Sequence, residues 1–571
     1  MLYGKTIEEI RNLIRQASGR EKASFAIRNA RIFHMTDGTI EEGDILICGK
    51  RIAGIGKCCR EIPSEEEFDA KGMYALPGFV DAHVHIESSL LSPGEYEKCV
   101  LKHGVTTSVC DPHELSNVSG TAAWDYFIKE ADTMAMDLVI RLSSCVPATD
   151  METAGAEITA EDIAAYLGKD HVAGLGEMMN VPGVLFENGE VLKKLAVADH
   201  IDGHSPLLSG NLLNAYLAAG AENCHECTGK EEAEEKLKRG MNILIREGSA
   251  ARNLDDLLPV ITLKNSPFLA FCTDDRNPSD IRKRRHIDGM IARCIEAGLD
   301  PFTVYRIATL SSARISGLYD RGLLAPGKRA DILLISDLEK CTVEQTFVAG
   351  KKVDAALFAS RPANPVPSVF LQSIRREKVK EADFRIPADW KGDVIEVIPH
   401  TIISKKFSYP LPEKNGELSG VPEMDIQKLA VLERHGRNGN IGKGFVRGFG
   451  MRSGAIASSV GHDCHNICVT GTNDEDMAVA VNSLMEKGGG FAVAQGGKLV
   501  KILPLPIGGL MSERPFEEVA DDLEDLMEKV KITGCLPEEP FMLLAFLVLP
   551  VIPEIKLTDK GLVDVENFRF Y

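Results

Sequence analysis

The sequence predicts an α/β protein: a (β/α)8 barrel with a small composite β-sandwich domain and an additional C-terminal α/β domain. Between residues 77 and 320, eight short apolar runs alternate with helical stretches, the pattern of parallel strands joined by helices. β-rich segments flank this region on both sides, and the chain changes character after about residue 375. A chain of 571 residues has room for several domains.

Residues 1–76 are predicted to hold an N-terminal helix and the first part of the sandwich. MLYGKTIEEIRNLIRQ carries apolar residues at helical spacing with charges between them. Short β-rich runs follow, broken by the turn signals Asp37-Gly38 and Gly49-Lys50. A related pattern returns at residues 322–353. Residues 321–375 are therefore predicted to supply the second part of the sandwich and a linker, with the barrel inserted between the two parts.

The barrel prediction, residues 77–320, rests on eight candidate strands. They are GFVDAHVH, TTSVCDPHE, LVIRLSSCVP, VAGLGEM, VADHIDGH, ENCHE, NILIREGS and PFLAFCTDD. Catalytic residues of such barrels lie at the carboxyl ends of the strands. Residues 376–571 mix glycine-rich turns, strand-like runs and an amphipathic helix around Asp474 to Lys487, which predicts a separate α/β domain.

Composition narrows the class of partner. The formal net charge of −19 argues against nucleic acid or an anionic membrane surface as a partner, since both require a basic surface. The N-terminus lacks the apolar stretch of a signal peptide, and the apolar run FMLLAFLVLPVIP is interrupted by proline, which predicts buried core. The 14 cysteines suit reduced thiols in a cytoplasmic protein. We expect a small-molecule substrate and, from base rates, a homo-oligomer such as a dimer.

Histidines and carboxylates close several of the candidate strands. His83 and His85 are two residues apart, so both side chains face the same side of the first strand. The other strand ends carry Glu177, His204, His225 and Asp274. Imidazoles and carboxylates are ligands for divalent Mn, Fe and Zn, and one carboxylate can bridge two ions. His200 is an alternative to His204, which is favoured because it stands at the strand end.

Longer motifs carry a family resemblance. They are PGFVDAHVH, DAHVHIESSLLSP, HGVTTSVCDPHELSNVSG, GLGEMMNVPGV, DGHSPLLSGNLLNAYLAAG, GAIASSVGHDCHN and LPLPIGGLMS. With these motifs the chain resembles the amidohydrolase superfamily and, within it, the adenine deaminase family, from residue 25 onward. The resemblance implies His83, His85 and Asp274 on one ion, His204 and His225 on another, and Glu177 between them. A glutamate there, instead of a carboxylated lysine, argues against hydantoinase-type and dihydroorotase-type relatives.

The reaction implied by the resemblance is hydrolysis of a non-peptide C–N bond in a cyclic amidine. Two ions, Mn2+ with Fe2+ or Zn2+ as alternatives, lower the pKa of a bridging water toward 7. The hydroxide attacks C6 of adenine, Asp274 accepts its proton, and hypoxanthine and ammonia result, a step of purine salvage. The alternatives are another amino-heterocycle or cyclic amide as substrate, or a scaffold protein that has lost catalysis.

Loop residues complete the predicted site. Glu114 is nominated as donor of the ring N1 proton or as a ligand of the purine edge, with His113 beside it; the alternative is a helix cap. Glu87, Ser88 and Ser89 are candidates for lining the substrate pocket, capping a helix start or supporting the ligands; of these, Glu87 and Ser89 are taken as substrate-binding candidates. Glu226 is expected to play a supporting role, and HDCHN, residues 462–466, to pack over the barrel mouth as a lid.

Overall fold

The computed structural model describes residues 4–362, 364–398, 401 and 403–571. Residues 1–3 of the predicted N-terminal segment, residue 363 of the predicted linker, and residues 399, 400 and 402 of the predicted C-terminal domain lie outside the described residues. No helix in the described part of the chain is long and apolar enough to cross a membrane. The predicted buried segment FMLLAFLVLP does lie in the core, with Phe541, Leu544 and Val548 at most 3% exposed.

The chain begins with a capped helix, α1 (Ile7–Ala17). The Thr6 hydroxyl accepts a hydrogen bond from the Glu9 amide (3.2 Å), and the Glu9 carboxylate accepts one from the Thr6 amide (2.7 Å). This reciprocal capping box satisfies two amides that a helix start leaves unpaired. Five strands follow: β1 (Ala23–Phe33), β2 (Ile40–Cys48), β3 (Arg51–Gly56), β4 (Ser64–Asp69) and β5 (Tyr74–Pro77).

Eight strands alternate with helices in the next region. The strands are β6 (Phe79–Val84), β7 (Val105–Cys110), β8 (Asp137–Leu142), β9 (Val172–Met178), β10 (Ile201–Gly203), β11 (Asn223–Cys224), β12 (Asn242–Arg246) and β13 (Leu269–Cys272). The helices are α2 (Pro93–Val100), α3 (His113–Ser119), α4 (Thr121–Ala131), α5 (Ala160–Tyr166), α6 (Val181–Leu185), α7 (Gly189–Ala196), α8 (Gly210–Ala218), α9 (Lys230–Lys238), α10 (Leu254–Leu257), α11 (Pro278–Arg284), α12 (Ile287–Glu296), α13 (Pro301–Arg306) and α14 (Ser312–Ile315). Each observed strand falls within or overlaps its predicted run.

These eight strands are parallel and form two sheets. One has the order β10-β9-β8-β7-β6 and the other β11-β12-β13. An isolated parallel bridge joins Val84 to Asp274, and another joins Ile201 to Ala221. Because neighbouring parallel strands end at the same edge, the residues after them come together there.

After this region the chain returns to the first sheet. The elements are β14 (Ile332–Ile335), β15 (Val343–Val348), β16 (Lys351–Lys352), α15 (Ala355–Ala359) and α16 (Ser368–Leu371). The resulting sheet has the order β16-β15-β14-β5-β1-β2-β3, with β4 beside β1. β14 pairs antiparallel with β5. Segments that precede and follow the eight parallel strands therefore share one sheet.

In the residues that the structure describes, the C-terminal part contains one sheet of eight strands and two smaller sheets of three strands each. Its strands are β17 (Ile386–Pro387), β18 (Val394–Val397), β19 (Ser404–Phe407), β20 (Glu413–Lys414), β21 (Glu417–Leu418), β22 (Ile426–Leu432), β23 (Ile441–Arg447), β24 (Ala455–Ser458), β25 (Ile467–Gly471), β26 (Gly490–Gln495), β27 (Lys498–Pro504), β28 (Ile555–Thr558), β29 (Gly561–Asp564) and β30 (Arg569–Phe570), and its helices are α17 (Asp474–Lys487), α18 (Phe516–Lys531) and α19 (Pro540–Phe546). The predicted helix coincides with α17, which packs Met477 and Leu484 into a cluster with Ala492 of β26.

Candidate metal and substrate site

Six side chains meet at the carboxyl edge of the parallel strands. They are His83, His85, Glu177, His204, His225 and Asp274, each at most 8% exposed. Their ligand atoms form overlapping groups of three within 4.8 Å of one another; Glu177 shares one group with His83 and His85 and another with His204 and His225. The structure therefore brings together all six residues that the sequence nominated as metal ligands.

Glu177 lies at the centre of this cluster. Its Oε1 is 3.2 Å from Nε2 of His85 and 3.9 Å from Nε2 of His83. Its Oε2 is 2.7 Å from Nδ1 of His204 and 3.1 Å from Nε2 of His225. Oε1 is also 3.3 Å from Nδ1 of His113. The two carboxylate oxygens thus face different imidazoles, the arrangement that a bridging carboxylate requires.

The residues at the site fit a divalent cation. The Nε2 atoms of His83 and His85 lie 3.2 Å apart in a buried site, where two ring nitrogens gain from sharing a cation. Burial by itself would raise the pKa of the Glu177 carboxyl, but His225 and His204 outweigh it and hold the pKa well below its ordinary value. The carboxylate is therefore ionised, as a ligand must be.

Asp111, at the end of β7, orients two of the ligands. Its carbonyl oxygen accepts a hydrogen bond from Nδ1 of His85 (2.8 Å), which leaves Nε2 for the cluster. Its carboxylate accepts bonds from the Glu177 amide (3.1 Å) and the Ser143 hydroxyl (2.9 Å). A Cβ at Gly176 would lie 2.1 Å from this carboxylate, so only glycine allows the approach. Asp111 lies within the predicted run TTSVCDPHE, but nothing in the sequence pointed to this role.

Asp274 is braced by an arginine. Its Oδ1 faces Nε2 of His85 (3.1 Å), while its Oδ2 accepts a hydrogen bond from Nη1 of Arg246 (3.0 Å). The same guanidinium donates from Nη2 to Glu226 (3.0 Å). Asp274 has a left-handed backbone (φ 52°), which aspartate tolerates better than most residues. Glu226 therefore contacts the arginine that positions Asp274.

Glu114 lies in a separate group of histidines beside the cluster. Its Oε1 is 2.7 Å from Nδ1 of His462, and its Oε2 contacts Nε2 of His465. His113 lies between the two groups, with Nε2 3.4 Å from Glu114 and Nδ1 3.3 Å from Glu177. The HDCHN segment, for which the sequence offered only a lid role, therefore contacts Glu114 directly.

Three nominated loop residues, Glu87, Ser88 and Ser89, are not among the described residues that line the cavity. Glu87 accepts a hydrogen bond from the Leu115 amide (3.0 Å) in the first turn of α3, so it caps that helix. The Ser89 hydroxyl donates to the Ile86 carbonyl (2.6 Å), and the Ser88 hydroxyl donates to Asp275. Their contacts are those of capping and local support.

His200, the alternative to His204, lies outside the cluster. Its Nδ1 contacts Glu222, and its Nε2 is 3.8 Å from Asp202. His204 instead follows β10 directly, and its amide donates to the Tyr216 hydroxyl (3.0 Å). The side chain that the sequence favoured is thus the one that contacts Glu177.

A cavity of about 30 Å³ lies beside these groups. One side is formed by the strand-end cluster, Met179, Asp275 and Glu114. The other side comes from the C-terminal part of the chain: His462, Asp463, Phe546, Leu549 and Ile552. The strand-end groups therefore face a wall that carries both polar side chains, His462 and Asp463, and apolar ones, Phe546, Leu549 and Ile552.

Comparison with known proteins gives the class and then the family. An amidohydrolase family model matches residues 74–353, and a model of the adenine deaminase C-terminal domain matches residues 401–569. Together with the strand-end ligands, the first match defines the class as amidohydrolase. Proteins named adenine deaminase from Gluconobacter oxydans (strain 621H) and Methylobacterium nodulans are 49% and 50% identical, covering 98% of this chain and 98–99% of theirs. An adenine deaminase 1 of Rhizobium meliloti (strain 1021) is 49% identical over 98% of this chain. The chain belongs to the adenine deaminase family.

Proposed function

We propose that this protein hydrolyses adenine to hypoxanthine and ammonia, as a step of purine salvage. The observation that carries the proposal is identity of about one half to proteins named adenine deaminase over nearly the full length of both chains. The buried ligand cluster beside a cavity with a partly apolar wall supports it, because hydrolysis of an aromatic amine needs an activated water held against a flat ring.

The eight parallel strands are proposed to close into a (β/α)8 barrel over residues 77–320. The bridges from Val84 to Asp274 and from Ile201 to Ala221 support closure, since they join the outer strands of the two sheets. Residues 1–76 and 321–375 would then form the composite β domain, and residues 376–571 the C-terminal α/β domain. The sheet shared by β5 and β14 supports the first of these assignments.

We propose that the cluster holds two divalent ions, with Mn2+ favoured. His83, His85 and Asp274 would bind one ion, His204 and His225 the other, with Glu177 between them; the two-sided contacts of Glu177 support this division. When bound, such ions would lower the pKa of a bound water toward 7, so that hydroxide would be present at neutral pH.

Asp274 is the proposed proton carrier. It takes the proton from the oxygen that attacks C6 and delivers it to the departing amino nitrogen. The hydrogen bond from Arg246 supports this role, because it orients the carboxylate while leaving Oδ1 facing the cluster.

Glu114 and His113 are the proposed catalytic groups at the purine edge. Burial by itself would raise the pKa of the Glu114 carboxyl, but His462, His465 and His113 hold it well below its ordinary value. An ionised Glu114 is an acceptor, which fits the purine-edge ligand among the two roles predicted for it. Glu87 and Ser89 would act on the substrate only through the loop and helix start that they support.

The test is release of ammonia by protein loaded with manganese, measured across adenine, other aminopurines, pyrimidines, their nucleosides and cyclic amides. Adenine should be the preferred substrate, with hypoxanthine as the product. Hydrolysis of a cyclic amide without release of ammonia from adenine would establish the alternative function instead. Sedimentation of the same preparation would test the predicted dimer.

A further inference from the structure

A histidine from the C-terminal part of the chain reaches the cavity. His462 lies in the connection between β24 and β25, is 3% exposed and lines the cavity wall. Its Nδ1 is 2.7 Å from Oε1 of Glu114. Its Nε2 is buried and has no hydrogen-bond partner among the described residues. One ring nitrogen is thus occupied by a carboxylate and the other is free for a ligand.

The imidazole is also held in orientation by an aromatic ring. Phe546 of α19 stacks on His462 with ring centroids 4.7 Å apart and an angle of 16° between the planes. Leu549 and Ile552 extend this apolar part of the cavity wall. A ring fixed by a carboxylate at one nitrogen and by stacking on one face presents its second nitrogen in a defined direction, as a proton donor requires.

We propose that His462 donates the proton that ring N1 of the substrate takes up when C6 is attacked, and that Glu114, besides its place at the purine edge, holds the His462 imidazole in position. The inference rests on the proposed function and names the acid that this function requires. It also gives the C-terminal part of the chain a direct role in the reaction.

The atoms balance with this assignment. Hydroxide forms the C–O bond at C6, and the π electrons of the C6–N1 bond move to N1. Nε2 of His462 donates its proton to N1, so that N1 carries no negative charge. Asp274 moves the hydroxyl proton to the amino group, the C–N bond breaks, and ammonia leaves. The N1 proton remains in hypoxanthine. His462 is reprotonated from solvent, which has received the proton lost when water became hydroxide.

The charges around His462 favour its protonated form. Burial by itself would lower the pKa of His462, but Glu114, Asp275 and Asp463 outweigh it and raise the pKa to about 9. The other facing groups are His113 and His465, which contact the same carboxylate. Burial, together with the positive charges of His462 and Arg434, lowers the pKa of His465 despite the contact with Glu114. His462 is therefore the member of this C-terminal histidine pair that carries the proton at neutral pH.

The test compares adenine with 6-chloropurine in two variants. His462→Gln keeps a hydrogen-bond donor toward Glu114, and His462→Phe keeps the stacking on Phe546. Because chloride leaves without a proton and makes C6 more electrophilic, 6-chloropurine depends less on N1 protonation. We expect kcat on adenine to fall on the order of 100-fold or more in both variants, the usual range for loss of a general acid, while 6-chloropurine falls less than about 10-fold. In the wild type, kcat/KM on adenine should decline as pH rises through about 9, and both variants should lose this decline.

Controls separate this role from a structural one. His435→Gln changes a buried histidine that bonds to the Cys464 carbonyl in the same segment, and it should keep both activities. Bound metal per chain should be unchanged in all three variants. Equal loss on both substrates, retained adenine turnover in both His462 variants, or a wild-type rate without the alkaline decline would each overturn the assignment. A wild type that releases no ammonia from adenine would instead overturn the proposed function.

Discussion

Glu177 places its Oε2 oxygen 2.7 Å from Nδ1 of His204. Its Oε1 oxygen faces His83 and His85, at the carboxyl end of β6. The carboxylate therefore contacts histidines at the carboxyl ends of β6 and β10, the two edge strands of one five-stranded sheet. This relationship supports a paired metal site more directly than any single strand-end residue does.

Replacement of Glu177 by Gln should remove the bridge. An amide offers one oxygen and no charge, so we expect bound metal to fall from two ions per chain to one or none. Turnover should fall by more than about 100-fold, the upper range seen for supporting residues of metal sites. Elemental analysis of the purified variant measures the metal. Glu222→Gln, a carboxylate that contacts His200 outside the cluster, is the matched control; two ions in Glu177→Gln would contradict the assignment.

His200 and His204, which flank β10, should respond differently to replacement. His204→Asn should lose one ion and most activity because its Nδ1 faces Glu177. His200→Asn should retain both, since His200 contacts Glu222 instead. Metal stoichiometry and ammonia release on the two variants decide between them. The reverse pattern would move the ligand to His200.

Arg246 should stabilise the barrel region through two buried carboxylates. Arg246→Gln leaves Glu226 and Asp274 without their shared cation, and we expect a loss of about 3–5 kcal/mol, typical when one partner of a buried pair is removed. Hydrogen-exchange protection of the β12 and β13 amides measures this loss. Arg293→Gln, which breaks an exposed pair with Asp255, should cost far less stability, because solvent screens exposed charges. Similar losses in both variants would show that the buried network contributes little.

His435 should make the protein sensitive to mild acid. Burial, followed by the nearby Arg434, lowers the pKa of His435 to about 3 in the folded state, below the unfolded value of about 6.5. The folded state thus favours the neutral ring, so this stabilisation is complete above pH 6.5 and is lost as pH falls from 6.5 toward 3, by about 1.4 kcal/mol per unit. His435→Gln can still donate to the Cys464 carbonyl but does not titrate. Thermal unfolding between pH 7 and 5 should show a shallower acid loss in the variant, and parallel curves would disprove the prediction.

The meeting of the six candidate ligands at the strand ends was predictable because their positions depend on local rules. Side chains alternate along a strand, so His83 and His85 could be assigned to one face from their spacing. Parallel strands joined by helices end at one edge, so Glu177 and Asp274 could be expected near them. The observed β10 and β11 are only three and two residues long, but His204 and His225 still follow them directly.

Contacts between distant segments were not predictable in this way. The segment of His462 was expected to act only as a lid, and nothing in its local sequence pointed to Glu114. Asp111 was passed over because its role depends on a carbonyl that accepts from His85 and a carboxylate that accepts from the Glu177 amide. For Glu87 the sequence allowed both a place at the substrate and a helix cap, and the position of α3 decides for the cap on the Leu115 amide.

The sequence by itself determined the strand pattern, the six ligand types at strand ends and the family, because these follow from periodicity and from motifs contiguous along the chain. Only the tertiary structure decided which oxygen of Glu177 faces which histidines, and that Glu114 meets His462 and His465. The physical reason is that these contacts join residues far apart in the chain, and packing of the C-terminal part against the strand ends sets their distances.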